Sequence, residues 1–217
     1  MKRNLTFEEI SDGRKYTADD YARVSCNGCA GCSECCQVTE DTILLDPYDI
    51  FTLSKGLKMT FEEMLKEFID LRVVDGVVTP YLKKLASGSC FFLNKSSRCM
   101  IHEYRPGFCR LFPLGRIYDE DGSFKYFIQV HECPYPDKSE VLIRDWLSID
   151  NLSDYEAFTR SWHEITKNLS IFTEESDDAS AIKAVNMRLL SVFFLAPYDT
   201  TTDFYPQFQA RLLTWGH

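Results

Sequence analysis

The chain lacks the motifs that announce most enzyme classes. It has no GxGxxG and no GxxxxGK[ST], so no glycine loop for cradling phosphates is expected. It has no HExxH and no GxSxG, which removes two common signatures of hydrolytic chemistry. No stretch approaches about 18 uninterrupted apolar residues, so no transmembrane helix and no membrane partner are expected. The longest apolar run, residues 189–197, is broken by Ser191 and reads as a buried helix. Residues 1–21, MKRNLTFEEISDGRKYTADDY, contain no apolar core of signal-peptide length, so the expected setting is the reducing cytoplasm. Positive charge is also short, at 24 Lys and Arg against 33 Asp and Glu, a formal net charge of −9. An acidic surface repels phosphate backbones, and no nucleic-acid partner is expected. Lys83, Lys84, Arg105, Arg110 and Arg116 are the only candidates for a basic patch, and solvation or local pairing accounts for them equally well.

What is present in excess is cysteine. There are nine in 217 residues. Cys26, Cys29, Cys32, Cys35 and Cys36 fall in the run CNGCAGCSECC, Cys90, Cys99, Cys109 and Cys133 follow at wide spacing, and none comes after Cys133. Such a cluster is either a metal site or a disulfide framework. Secreted disulfide scaffolds are usually under about 100 residues, with an even cysteine count and a signal peptide. Odd count, length and expected compartment favour metal. With 45% hydrophobic and 14% aromatic residues, the chain has the composition of a globular protein, long enough for one good core.

The coarse pattern is mixed. Residues 1–25 are expected to wrap onto the body, and the cysteine run 26–36 to be a loop or a set of tight turns, given Gly28 and Gly31. Asp46 as N-cap, Pro47 at the first position and Gly56 as the stop predict a helix over about 47–55. Thr60 and Glu63 make a capping-box pattern for a helix over about 61–70. Asp75-Gly76 predicts a hairpin at 73–78, and Asp121-Gly122 a second one. Residues 90–101 read as a short strand pair bent around polar residues. From Ser139 onward the periodicity is helical: SEVLIRDWL, a helix capped by Ser153, a third over DASAIKAVNMRLLSVFFL, and a weaker one over 203–214.

Cysteines two residues apart can chelate one ion, because a tight turn brings both sulfurs to one side. Zinc and iron–sulfur clusters each take four thiolates. The spacing Cys26-x2-Cys29-x2-Cys32-x3-Cys36 matches the bacterial ferredoxin run, and Cys133-Pro134 has the form of its remote partner. Gln37, however, stands where that motif has proline, and the motif occurs once. Adjacent side chains of extended backbone diverge. Cys35 and Cys36 are therefore expected to serve different ligand sets, or one of them only to fill space. Cys99-Met-Ile-His102 also has ligand spacing, but with enough cysteines present His102 and His131 read as structural. His163 and His217 carry no signal.

The segments Cys29 to Cys36, then CFFL, then CMIHEYRPGFCRLFPLG, are similar to the YkgJ-type cysteine-cluster family, a widespread bacterial family of zinc- or iron-chelating domains. The resemblance covers residues 26–134. It implies that Cys29, Cys32, Cys35, Cys36, Cys90, Cys99, Cys109 and Cys133 form the metal-binding set, with Cys26 possible because it lies outside the short motif. His102 stands where many members carry tyrosine. Arg105 offers a rigid fork of donors, and Arg110 directly follows a ligand; for both, the structural-clamp reading is preferred.

The sequence therefore predicts an α+β fold: a small cysteine-rich metal-binding region with short helices and hairpins over 1–138, and a helical C-terminal region over 139–217 packed on it. The expected function is metal binding, with zinc or an iron–sulfur cluster as the group bound. The alternatives are an iron–sulfur redox enzyme or electron-transfer protein, and a metal-folded interaction module. No catalytic residue is singled out.

Overall fold

A computed structural model describes residues 6–26, 32–37, 43–135 and 137–216. Its elements, in chain order, are α1 (Phe7–Ile10), β1 (Tyr21–Ser25), α2 (Glu34–Gln37), α3 (Pro47–Leu57), α4 (Phe61–Glu67), β2 (Ile69–Val74), β3 (Val77–Leu82), α5 (Gly107–Leu111), β4 (Leu114–Tyr118), β5 (Phe124–Ile128), β6 (Ser139–Leu142), α6 (Ile143–Leu147), α7 (Leu152–Glu175), α8 (Ala179–Leu190) and α9 (Phe204–Trp215). A 3-10 turn, His102–Tyr104, precedes α5, and a π turn, Ser191–Leu195, continues α8. The fold is α+β. Three antiparallel strand pairs, β1–β6, β2–β3 and β4–β5, lie among helices that dominate the C-terminal part. Among the described residues no helix is long and apolar enough to cross a membrane.

Local chemistry explains most of these elements. Asp46 caps α3 by accepting from Asp49 N at 2.9 Å, and Asp49 returns the bond from Asp46 N at 3.0 Å. Thr60 and Glu63 do the same for α4. The β2–β3 hairpin pairs Val74 with Val77 across Asp75 (φ 47°) and Gly76 (φ 80°), the left-handed pair that a two-residue turn requires. The β4–β5 hairpin closes Tyr118 on Phe124, with Gly122 at φ 79°.

Four local expectations are corrected. Gly56 does not end α3. The helix runs to Leu57, and Lys58 takes the left-handed position at φ 58°. Gly56 is spent instead on a close approach, since a Cβ there would overlap the Tyr104 ring. Residues 139–142 are strand rather than helix, because β6 satisfies the backbone of β1 with Tyr21 opposite Leu142. Asn151, not Ser153, stands before α7. Residues 90–101 form only isolated bridges, Lys84 with Cys90 and Leu93 with Cys99.

Two apolar clusters hold the chain together. The larger joins Ile50, Leu53, Met64 and Phe68 to Tyr155, Phe158, Phe193, Phe194, Phe204 and Phe208, so α3, α4 and the β2–β3 hairpin share one core with α7, the π turn and α9. Edge-on aromatic pairs, such as Phe158 with Phe208 at 4.8 Å, run through it. The smaller joins Tyr16, Val24, Leu114 and Tyr126 to Ile143 and Leu147. The two clusters interleave along the chain, and the cysteine-bearing segments reach both: Cys90 belongs to the larger core, and Leu111 of α5 to the smaller.

Candidate metal centre

Three segments bring cysteine to one place. The first is α2, a single helical turn that carries Cys35 and Cys36. The run of turns expected for 26–36 is thus helical at its end. Helical backbone rotates neighbouring side chains by roughly 100° rather than 180°, and the two sulfurs stand 4.0 Å apart. The expected divergence of Cys35 and Cys36 is overturned by that geometry. Cys36 O accepts from Cys90 N at 2.7 Å, which ties the turn to the second segment.

That second segment, 90–99, is a knuckle built on Asn94. The Asn94 side-chain oxygen accepts from Ser96 N at 2.9 Å and Arg98 N at 3.0 Å. Asn94 N donates to Arg98 O at 2.9 Å, and Ser97 turns the chain at φ 56°. These bonds return Cys99 toward Cys90 without regular strand. The third segment is α5, which carries Cys109. Its N-cap, Pro106, offers no side-chain bond. The cap comes from 58 residues upstream: the buried carboxylate of Asp49 accepts from Gly107 N at 2.7 Å. Arg110 clamps the same region through carbonyls, with Nε on Arg105 O at 3.1 Å, one terminal nitrogen on Ser148 O at 3.0 Å, and the other on Glu103 O. The clamp role expected of Arg110 is what its bonds describe.

Cys32, Cys35, Cys36, Cys90, Cys99 and Cys109 line a single cavity of about 490 Å³. Its wall also includes His102, Arg98, Arg105, Phe108 and Phe112, and Val141, Asp145 and Trp146 of β6 and α6. The cysteine-free part of the chain therefore helps to enclose the thiols. Cys26, buried, and Cys133, half-buried, do not line it. The Cys133 carbonyl accepts from Lys138 Nζ at 2.8 Å. Cys29 lies outside the described residues. No disulfide joins the eight described cysteines. Among the described residues, no three His, Cys, Asp or Glu side chains converge into a ready-made ion cage.

The thiols influence one another. Burial pushes Cys109, Cys90 and Cys99 above the ordinary thiol range, and neighbouring sulfurs add to it. Cys35 is lowered to about 7, chiefly by the hydrogen bond from Cys36, and Cys36 is raised in return. Positive charge stands close by. Arg105 favours the thiolates of Cys35 and Cys99. Burial, then Arg105, Arg110 and Arg98, lower His102, so its neutral ring accepts from Arg105 Nη1. His163 is remote from this chemistry and stacks on Tyr118 at 3.5 Å.

Asp49 is the positioning residue that motif reading missed. Asp46 was legible as the cap of α3, but the bond from Asp49 to the cysteine-bearing α5 joins residues 58 apart and leaves no local signal. Burial raises it to about 6 and raises its neighbour Asp46 as well, while Arg116 offsets part of that cost. Arg116 is itself held by Tyr155 Oη at 3.0 Å.

Residues 28–134 match the family described as "CxxCxxCC: Putative zinc- or iron-chelating domain". Over 106 residues the chain is 29% identical to "Uncharacterized protein MJ0661" of Methanocaldococcus jannaschii, covering 48% of this chain and 54% of that one. The chain thus spans about half the length of the curated relative it matches. No solved structure matches it. Residues 28–134, which carry all six thiols of the cavity, are thus the part of the chain that is similar to the CxxCxxCC family.

Proposed function

We propose that the thiol-lined cavity is a metal-chelating centre whose ligands come from Cys32, Cys35, Cys36, Cys90, Cys99 and Cys109, together with Cys29. The observation that carries this reading is six thiols on the wall of one cavity, three of which, Cys90, Cys99 and Cys109, burial holds protonated, with neighbouring sulfurs adding to it. A soft cation removes that cost by replacing protons. The donor set is all sulfur, which suits zinc or iron and not calcium or magnesium.

Between the two, the arrangement favours an iron–sulfur cluster. A single zinc with four sulfurs at about 2.3 Å holds them about 3.8 Å apart. Cys35 and Cys36 meet that spacing, but the six described thiols come from three separate segments around a cavity of about 490 Å³, far larger than one ion needs. A cluster binds each sulfur to a different iron and spreads its ligands. When bound it would supply one-electron transfer, whereas zinc would supply a structural cross-link. The zinc reading rests on the 4.0 Å Cys35–Cys36 pair. Cys133 and Cys26, away from the cavity, are assigned supporting roles.

The deciding experiment is anaerobic purification with iron, acid-labile sulfide and zinc assays and a visible spectrum. A broad band near ~400 nm with matching iron and sulfide supports the cluster. Colourless protein with stoichiometric zinc supports the single-ion form. Protein that takes up neither metal overturns the proposal.

A further inference from the structure

Cys35 and Cys36 are neighbours in sequence, and the turn of α2 leaves their sulfurs 4.0 Å apart. Other bonds hold that turn in place. Cys36 N donates to Ser33 O at 2.8 Å, and Gln37 N to the same carbonyl at 3.1 Å. Gln37 Nε2 donates to Ser33 Oγ at 2.6 Å, and Ser33 is buried. Cys36 O accepts from Cys90 N on the neighbouring segment. Both cysteines are half-buried and line the cavity, so the pair can be reached from it.

A dithiol held this way has a chemistry that four-thiolate metal binding does not use. Direct closure to a disulfide is disfavoured. Disulfides usually join Cα atoms about 4.4–6.8 Å apart, whereas neighbouring Cα atoms across a trans peptide lie only about 3.8 Å apart. The pair therefore persists as two thiols. One bridging atom between the sulfurs lets them stay near their present separation. Zinc is such an atom, but it needs two more donors. A soft acceptor that takes only two sulfurs matches the pair as it stands. Because α2 orders the pair before anything binds, little conformational freedom is lost on chelation.

We infer that the Cys35–Cys36 pair of the metal-free chain is a capture site for monosubstituted trivalent arsenicals, the organoarsenous acids R–As(OH)2. Two S–As bonds form and two As–O bonds break. Each thiol proton leaves with a hydroxide, giving two waters, and arsenic stays trivalent, so no oxidant or reductant is consumed. No charge is created, which suits a pair on a wall that also carries Phe112 and Trp146. The inference goes beyond the metal reading and does not depend on which metal the centre holds.

The test is titration of the reduced, metal-free full chain with phenylarsine oxide in excess 2-mercaptoethanol, a monothiol, read by intact mass and free-thiol count. The first equivalent is expected to be retained against the monothiol, with two thiols lost. Cleavage after Glu34 and Glu40 frees residues 35–40, whose only thiols are Cys35 and Cys36, and the phenylarsenic group is expected on that peptide. Cys35→Ser and Cys36→Ser remove one of two attachment points and should each weaken retention at least about tenfold, whereas Cys26→Ser should not. If either variant fails to fold, the wild-type peptide decides. A first equivalent found on any other peptide overturns the inference. Metal uptake is assayed on a separate sample without arsenical. A chain that loads zinc or iron but retains no phenylarsenic group overturns this site alone. A chain that retains the group on residues 35–40 but takes up no metal overturns the metal reading alone.

Discussion

Burial keeps the thiols of Cys90, Cys99 and Cys109 protonated at neutral pH, and Cys36 is raised by its bond to Cys35. A metal entering the cavity must displace those protons. Loading at pH 7 is therefore expected to release about three to four protons per four-thiolate group, measured with an indicator dye in weak buffer. Apparent affinity should fall as pH falls, on the order of tenfold per displaced proton per pH unit. In a serine series, Cys35, Cys90, Cys99 and Cys109 should each lower bound metal per chain, whereas Cys26→Ser and Cys133→Ser should lower it less, because neither lines the cavity. Equal losses across the series would remove the cavity as the metal site. Asp49 gives a separate signature. Its folded pKa is raised to about 6 by burial, so its contribution to stability is present below the unfolded value, near ~3.9, and is lost as pH rises through about 6. At equal metal loading, the wild type should lose stability relative to Asp49→Asn across that window. Parallel denaturation curves from pH 4 to 7 would show that the carboxyl does not titrate there.

At the scale of elements, the cysteine-bearing segments are short and borrow their order from neighbours. The 3-10 turn His102–Tyr104 links the Cys99 knuckle to α5, and its Tyr104 ring sits on Gly56 of α3. Gly56→Ala puts a methyl group into that ring. The expected result is a loss of about 1–3 kcal/mol by chemical denaturation and faster metal loss to a chelator. An unchanged chelation rate would mean that α3 does not support the ligand turn. Gly56 also shows why the helix limits were only partly legible. A glycine near the end of a periodic segment normally marks the stop, but here close packing required it and Lys58 took the left-handed position. The same holds for 139–142: alternating and helical patterns cannot be separated over four residues, and the unpaired edge of β1 decided for strand. The Asp46 cap, the Thr60–Glu63 capping box and both hairpins were legible because their bonds span only a few residues.

For the whole molecule, the question is whether the cysteine region stands alone. Removing residues 139–217 would take away the partner of β1, the Tyr155, Phe158, Phe193 and Phe204 half of the larger core, and Val141, Asp145 and Trp146 from the cavity wall. A fragment ending at Lys138 is expected to be insoluble or largely unfolded by circular dichroism, with metal present or absent. A folded, metal-loaded 1–138 fragment would instead support two separable parts, with the helices as a cover over the site. Chelation of the full chain should disorder the segment 90–111 and leave α7, α8 and α9 protected from hydrogen exchange. These helices carry no cysteine, and α7, α9 and the π turn that continues α8 bury aromatic residues against one another.

The sequence by itself determined the chemistry of the site, because thiolates at two-residue spacing have few uses and no other side chain substitutes for sulfur in them. It also determined the capped helices and tight hairpins, whose signals are local. Only the tertiary structure decided which cysteines share a cavity, that Cys35 and Cys36 face the same way, and that Asp49 caps a helix 58 residues downstream. Those outcomes depend on contacts between distant segments, and on helical rather than extended backbone at two residues. Neither the spacing of the motif nor its hydrophobic pattern encodes them within its own length.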